Sequence, residues 1–240
     1  MLKISIDKID NMFAKIAADM TLYMPVDGKG GARFEKWEEG KKLSDALNTV
    51  RSAKDFFFPQ TENLMDFKVE GKNIEIIDTR SESENFAVFG VRACDVKSFD
   101  VLDRVFLADP VDTYYKNRRD HGVIISLACT KPVETCFCKT FGIDAAEPEG
   151  DVVCHKTASA LYMEAKTDKG EKLIKSIAAL GEESDGAETE KQKKETHERF
   201  EKLPLANLSA DKFGKDKTQE FFGAPEWKEL SGNCLGCGTC

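Results

Sequence analysis

The sequence predicts an α+β protein: a mixed α/β N-terminal domain over residues 1–181, a charged helical linker over 182–232, and the start of a small cysteine-ligand module at 233–240. Three observations carry this reading. Strand-like alternation and helix-like spacing follow one another through the first 180 residues. After Gly181 the composition turns abruptly to Glu, Lys, Thr and Gln. The chain then closes on Cys234-Leu235-Gly236-Cys237-Gly238-Thr239-Cys240.

Taken in order, residues 6–19 set Ile6, Ile9, Phe13, Ile16 and Ala17 at helical spacing, which predicts an amphipathic docking helix. Leu22, Met24 and Val26 alternate, the chain breaks at Asp27-Gly28-Lys29-Gly30-Gly31, and the pattern resumes over 32–37, as in a β-hairpin with a Gly-rich turn. Phe56-Phe57-Phe58-Pro59 is too short for a core helix, and its proline suits a loop or an edge. A second hairpin is expected over 69–77. Residues 85–91 read as a buried strand and 95–107 as a helix with Phe99, Leu102, Val105 and Phe106 on one face, so Cys94 falls where strand hands over to helix. Helix 114–119 and strand 123–128 follow, the strand ending at Cys129. A hairpin over 152–166 and a helix over 169–180 complete the domain. Residues 182–201 read as a solvated helix or loose linker, and short helical pieces at 213–222 and 225–230 lead to the tail.

Composition removes several function classes. The net charge of −8 leaves no general basic surface for a nucleic-acid backbone or an anionic leaflet. No apolar run approaches the eighteen or so residues of a membrane-spanning helix, and the first residues carry scattered charges rather than a signal sequence. A cytoplasmic location is expected. Eight cysteines in 240 residues are too sparse for a disulfide scaffold. No phosphate-cradling glycine loop, no H-E-x-x-H and no paired carboxylates are present, so no catalytic residue is nominated. The cysteines hold the chemistry.

Cys234, Cys237 and Cys240 form a C-x2-C-x2-C run. Cubane iron–sulfur clusters need thiolates that curl around one corner, and Gly236 and Gly238 permit so tight a loop while letting amide N–H groups approach the cluster sulfurs. A zinc knuckle without its histidine is the alternative. In two-cluster bacterial ferredoxins a fourth cysteine follows such a run, so the chain is expected to continue into a ferredoxin-like dicluster module. Cys94, Cys129, Cys136 and Cys138 are a second candidate set. Cys94 is placed at a helix N-terminus, which favours thiolate, and Cys129 at a strand end. Spacing alone leaves three readings open: small buried hydrophobes, a four-thiolate zinc site, or an iron–sulfur site. Cys154 reads as packing, and His121 and His197 as solvated.

With these residues in view, the sequence resembles a family of iron–sulfur electron-transfer proteins, typified by the iron–sulfur subunit of anaerobic sulfite reductase and the beta subunit of cytoplasmic nickel–iron (sulf)hydrogenase. The resemblance runs through Phe56 to Glu62, Phe89 to Asp95, Tyr114 to Arg119, Cys129-Thr130-Lys131-Pro132, Thr135 to Cys138 and the tail. It implies an α+β domain followed by a 4Fe-4S dicluster domain. Such a protein relays electrons between a flavin-containing subunit, NAD(P)H-oxidising or ferredoxin-linked, and a catalytic sulfite reductase or hydrogenase subunit. The resemblance further implies that Cys94, Cys129, Cys136 and Cys138 bind an additional 4Fe-4S cluster. Arg92, Arg118 and Arg119 are then candidates for compensating the cluster's negative charge. The second cysteine motif of the family is absent from the sequence. A zinc-thiolate structural subunit is the alternative function.

Overall fold

A computed structural model describes residues 1–82, 84–212 and 217–236. In chain order the elements are β1 (Leu2–Ser5), α1 (Ile9–Asp19), β2 (Thr21–Gly28), β3 (Gly31–Lys36), β4 (Met65–Glu70), β5 (Asn73–Asp78), β6 (Phe86–Val91), α2 (Ala93–Phe106), α3 (Thr113–His121), β7 (Gly122–Leu127), β8 (Val152–Lys156), β9 (Ala160–Ala165), α4 (Asp168–Ile177), β10 (Glu182–Glu183), α5 (Ala187–Phe200), α6 (Lys217–Glu220) and α7 (Glu226–Ser231). The fold is mixed α and β, as the periodicities predict.

Eight strands make one sheet in the order β10-β1-β9-β8-β7-β6-β2-β3. Its centre, β8-β7-β6-β2, is parallel throughout. Parallel strands are covered on both faces and so lose the alternation of a half-exposed sheet; accordingly β7 is buried at every position. One face packs under α1 and α4, where Met12, Phe13, Ile16, Leu173 and Ile177 meet Leu22, Phe89, Ile125 and Cys154. The other face packs under α2 and α3, where Val96, Phe99 and Tyr115 meet Val88, Val91 and Ile124. The apolar stripe of α1 therefore serves its own sheet. Val105, expected on the buried face of α2, is exposed, because the face actually covered is that of Val96 and Phe99.

Two strands go beyond the sequence reading. β1 lies between β9 and β10, its four residues too short to announce themselves. β10 joins residues 182–183 to the main sheet. The acidic and basic stretch that follows does form a helix, α5, but one that buries Thr189, Thr196 and Phe200. No helix among the described residues is long and apolar enough to cross a membrane.

A polar clamp ties α2 to α3. Asp103 accepts from the Tyr115 hydroxyl at 2.6 Å and from Arg119 Nε and Nη2 at 2.9 Å. The guanidinium also lies 5.6 Å and 5.3 Å from the Phe57 and Phe99 ring centroids. Burial raises the Asp103 pKa, but the donors from Arg119 and Tyr115 outweigh it and hold the carboxyl below its ordinary 3.8. The stability this lends is complete above that unfolded value and is lost as pH falls through the lower folded one. The urea midpoint of Asp103→Asn is thus expected to fall less steeply below about pH 4 than that of the parent. Parallel acid limbs for the two proteins would refute this.

Candidate metal centre

Because β6 and β7 are parallel neighbours, their C-terminal ends open at the same sheet edge, the usual place for a ligand in such sheets. A bulge sharpens the exit. Phe89 pairs with Ile125 and Val91 with Ser126, leaving Gly90 as the extra residue at φ 85°. That backbone region favours glycine, and a β-carbon there would lie 3.0 Å from the Pro25 ring. The chain then turns at Arg92 into α2.

Arg92 is the N-cap of α2, but its side chain leaves the helix. Nε donates to the Leu47 carbonyl at 3.0 Å and Nη2 to Ala46 at 3.1 Å, while Nη1 lies 3.3 Å and 3.4 Å from the carbonyl oxygens of Leu127 and Ala128. One guanidinium thereby joins the loop at 46–47 to the end of β7 and stands beside Cys129. Arg118 and Arg119 are placed elsewhere. Arg118 pairs with Glu62 at 2.6 Å and Arg119 with Asp103.

Four cysteines meet here from separated stretches of chain. Cys94 is the second residue of α2, Cys129 lies two residues past β7, Cys136 sits on the loop beyond, and Cys138 starts a single 3-10 turn over Cys138–Phe141. Cys129 and Cys138 are buried with Ala93, Ala145 and Phe200, and Cys94, Cys136, Leu47, Ile143 and Leu203 pack against them. The loop is held locally: Cys129 N–H donates to Ala145 at 2.8 Å, Cys136 N–H to Val133 at 2.9 Å, and Val133 N–H approaches the Cys136 sulfur at 3.4 Å. Phe200 closes the group from the end of α5, a contact that the charged composition of that helix hides.

The thiols perturb one another. Cys138 donates a hydrogen bond to the Cys94 sulfur, with smaller help from the N–H groups of Asp95 and Cys94 itself, and this draws the Cys94 pKa down despite burial. The same bond and burial push Cys138 up. Burial raises Cys129 to about 11, against the pull of Arg92.

Among the described residues, no group of three or more His, Cys, Asp and Glu side chains is drawn in closely enough to hold a metal ion. A tetrahedral zinc requires all four sulfurs at about 2.3 Å from one point. A cubane presents one thiolate at each of four separate iron corners, so its sulfurs stand farther apart. The donor chemistry, four thiols without imidazole, suits a soft thiophilic centre. His197 bonds to Asp144 at 2.9 Å, His121 to the Asn117 carbonyl at 2.7 Å, and His155 is buried on β8.

The remaining cysteines are separate. Cys154 lies in the large core under α1 and α4, fully buried, its pKa raised by burial alone. Cys234 is exposed after α7, with the Gly236 N–H 3.4 Å from its sulfur. Cys237 and Cys240 lie outside the described residues.

No family model and no solved structure matches the chain. Over 222 residues it is 30% identical to Sulfhydrogenase 2 subunit beta of Pyrococcus furiosus, an alignment that covers 91% of this chain. The chain spans 64% of the length of that curated relative. Along nine-tenths of its length, then, this polypeptide is similar to a sulfhydrogenase beta subunit.

Proposed function

We propose that the chain is an iron–sulfur electron-transfer subunit of a cytoplasmic redox complex. It relays electrons between a flavin-containing subunit, NAD(P)H-oxidising or ferredoxin-linked, and a catalytic subunit of hydrogenase or sulfite reductase type. The observation that carries this is the convergence of Cys94, Cys129, Cys136 and Cys138 at the open ends of β6 and β7. The relative's name, which makes it one subunit of a sulfhydrogenase, points the same way.

In this reading the four cysteines ligate one 4Fe-4S cluster, which supplies single-electron redox chemistry when bound. Cys234, Cys237 and Cys240 are the first ligand run of a dicluster module bearing two more. The chain's own contribution is electrostatic. Four thiolates concentrate negative charge in a site closed by Ala93, Ala145 and Phe200, and Arg92 offsets part of it from the Cys129 side. The Val133 N–H directed at the Cys136 sulfur and the exclusion of water by Phe200 both act on the potential.

Anaerobically prepared chain is expected to be brown, to carry iron and acid-labile sulfide in equal amounts, and to give a paramagnetic resonance signal after dithionite reduction. Colourless protein, or protein holding zinc without sulfide, would overturn the reading.

A further inference from the structure

β4 and β5 form a two-stranded sheet apart from the main one. Phe67 pairs with Ile76 and Val69 with Ile74. The pleat therefore gathers Met65, Phe67, Val69, Ile74 and Ile76 on one face, with Asp78 at its margin opposite Met65, and sends Asp66, Lys68, Glu70, Asn73, Glu75 and Ile77 to the other. All five apolar side chains are 55% to 69% exposed. Such alternation marks a ribbon with one face meant for burial, and a lone two-stranded ribbon in water is marginal at best. Its base is fixed all the same: the Tyr114 hydroxyl donates to the Leu64 carbonyl at 2.6 Å, and Arg80 stacks 4.6 Å over the Tyr114 ring.

We propose that this face is covered by the same face of a second copy of the chain, two ribbons stacking about a two-fold axis into a small four-stranded sandwich. The area supports that occupant. Five large apolar side chains, each offering on the order of 100 Å², give roughly 1,000 Å² over two copies, the minimum a biological interface clears and the size of a weak, reversible dimer. The charges also allow it. Apart from Asp78, which stands opposite Met65 at the margin of the apolar face and is paired with Arg80, the ribbon's charges lie on the rear face, where Lys68 opposes Glu75. A self-complementary patch closes on itself as a dimer and does not propagate. Such a dimer needs no iron–sulfur cluster and would form in a chain that holds none.

Light scattering on the anaerobic chain, with reductant present to exclude intermolecular disulfides, should give a mass that rises toward twice that of the chain across a micromolar concentration series. Phe67→Lys and, on the other strand, Ile76→Lys should each raise the dimer dissociation constant at least 100-fold with the far-ultraviolet circular dichroism unchanged. Glu75→Gln on the rear face, which sets no like charge opposite Lys68, should leave it alone. Amide exchange supplies a readout free of mutation: protection over 65–78 should rise with protein concentration. A parent chain that is monomeric throughout, including one that gains mass only with a different subunit, overturns the proposal. So does a dimer that persists in both lysine variants, or exchange over 65–78 that ignores concentration.

Discussion

Serine in place of Cys136 should remove about four irons per chain, the content of one cubane, whereas serine in place of Cys154 should remove none. The two residues are alike in chemistry and differ in address. Cys136 lies at the partly open side of the four-thiol group, where, under the proposed ligation, exchanging sulfur for a harder oxygen would withdraw one corner ligand. Cys154 lies on β8 within the core beneath α1 and α4, among Leu127, Met163 and Leu173. Its replacement instead buries an unpaired hydroxyl, lowering unfolding free energy by about 1–3 kcal/mol with the iron content intact. Iron and sulfide analysis beside a urea titration separates the two outcomes. Full iron in Cys136→Ser would remove the N-terminal site, and lost iron in Cys154→Ser would add a ligand the geometry does not place.

Gly170→Ala should destabilise the fold by about 3 kcal/mol, although alanine in place of glycine within a helix ordinarily stabilises by about 1 kcal/mol. Two effects compete, and distance decides. A β-carbon at 170 would stand 1.9 Å from the Asp151 carbonyl oxygen, and that oxygen cannot retreat. It accepts the Lys166 N–H at 2.8 Å, while the Asp151 carboxylate takes the Ile124 N–H at 2.8 Å and the Thr167 hydroxyl at 2.6 Å. To admit the methyl, α4 must lift from the sheet and carry Leu173 and Ile177 out of the core. An unchanged or raised urea midpoint would show that α4 slides freely and would refute the argument.

Much of this architecture is legible in the residues. The apolar runs 85–91 and 123–128, each followed by a turn and a changed periodicity, place the central strands and the two cysteines at their ends. The meeting of four sulfurs is not legible, because nothing in spacings of thirty-five, seven and two positions says that β6 and β7 are adjacent and parallel; sheet order supplies that. The closure by Phe200 is hidden differently. Thr189, Thr196 and Phe200 recur at seven and four positions, a narrow inward stripe that the surrounding Glu and Lys swamp in any composition average. Arg92, Arg118 and Arg119 look equivalent as letters, yet one reaches four backbone carbonyl oxygens at the site, Arg118 ties α3 to Glu62 in the loop before β4, and Arg119 locks α3 to α2.

The position of Phe200 also orders events during synthesis. Residues 94 to 138 leave the ribosome well before residue 200, so the cysteines can gather at the sheet edge while the side later sealed by α5 is still open. For the proposed cluster, assembly would then fall in a natural window, after the strands pair and before the last long helix docks. In the finished molecule Phe200 covers part of the four-thiol group, while Cys94 and Cys136 keep partial access to solvent.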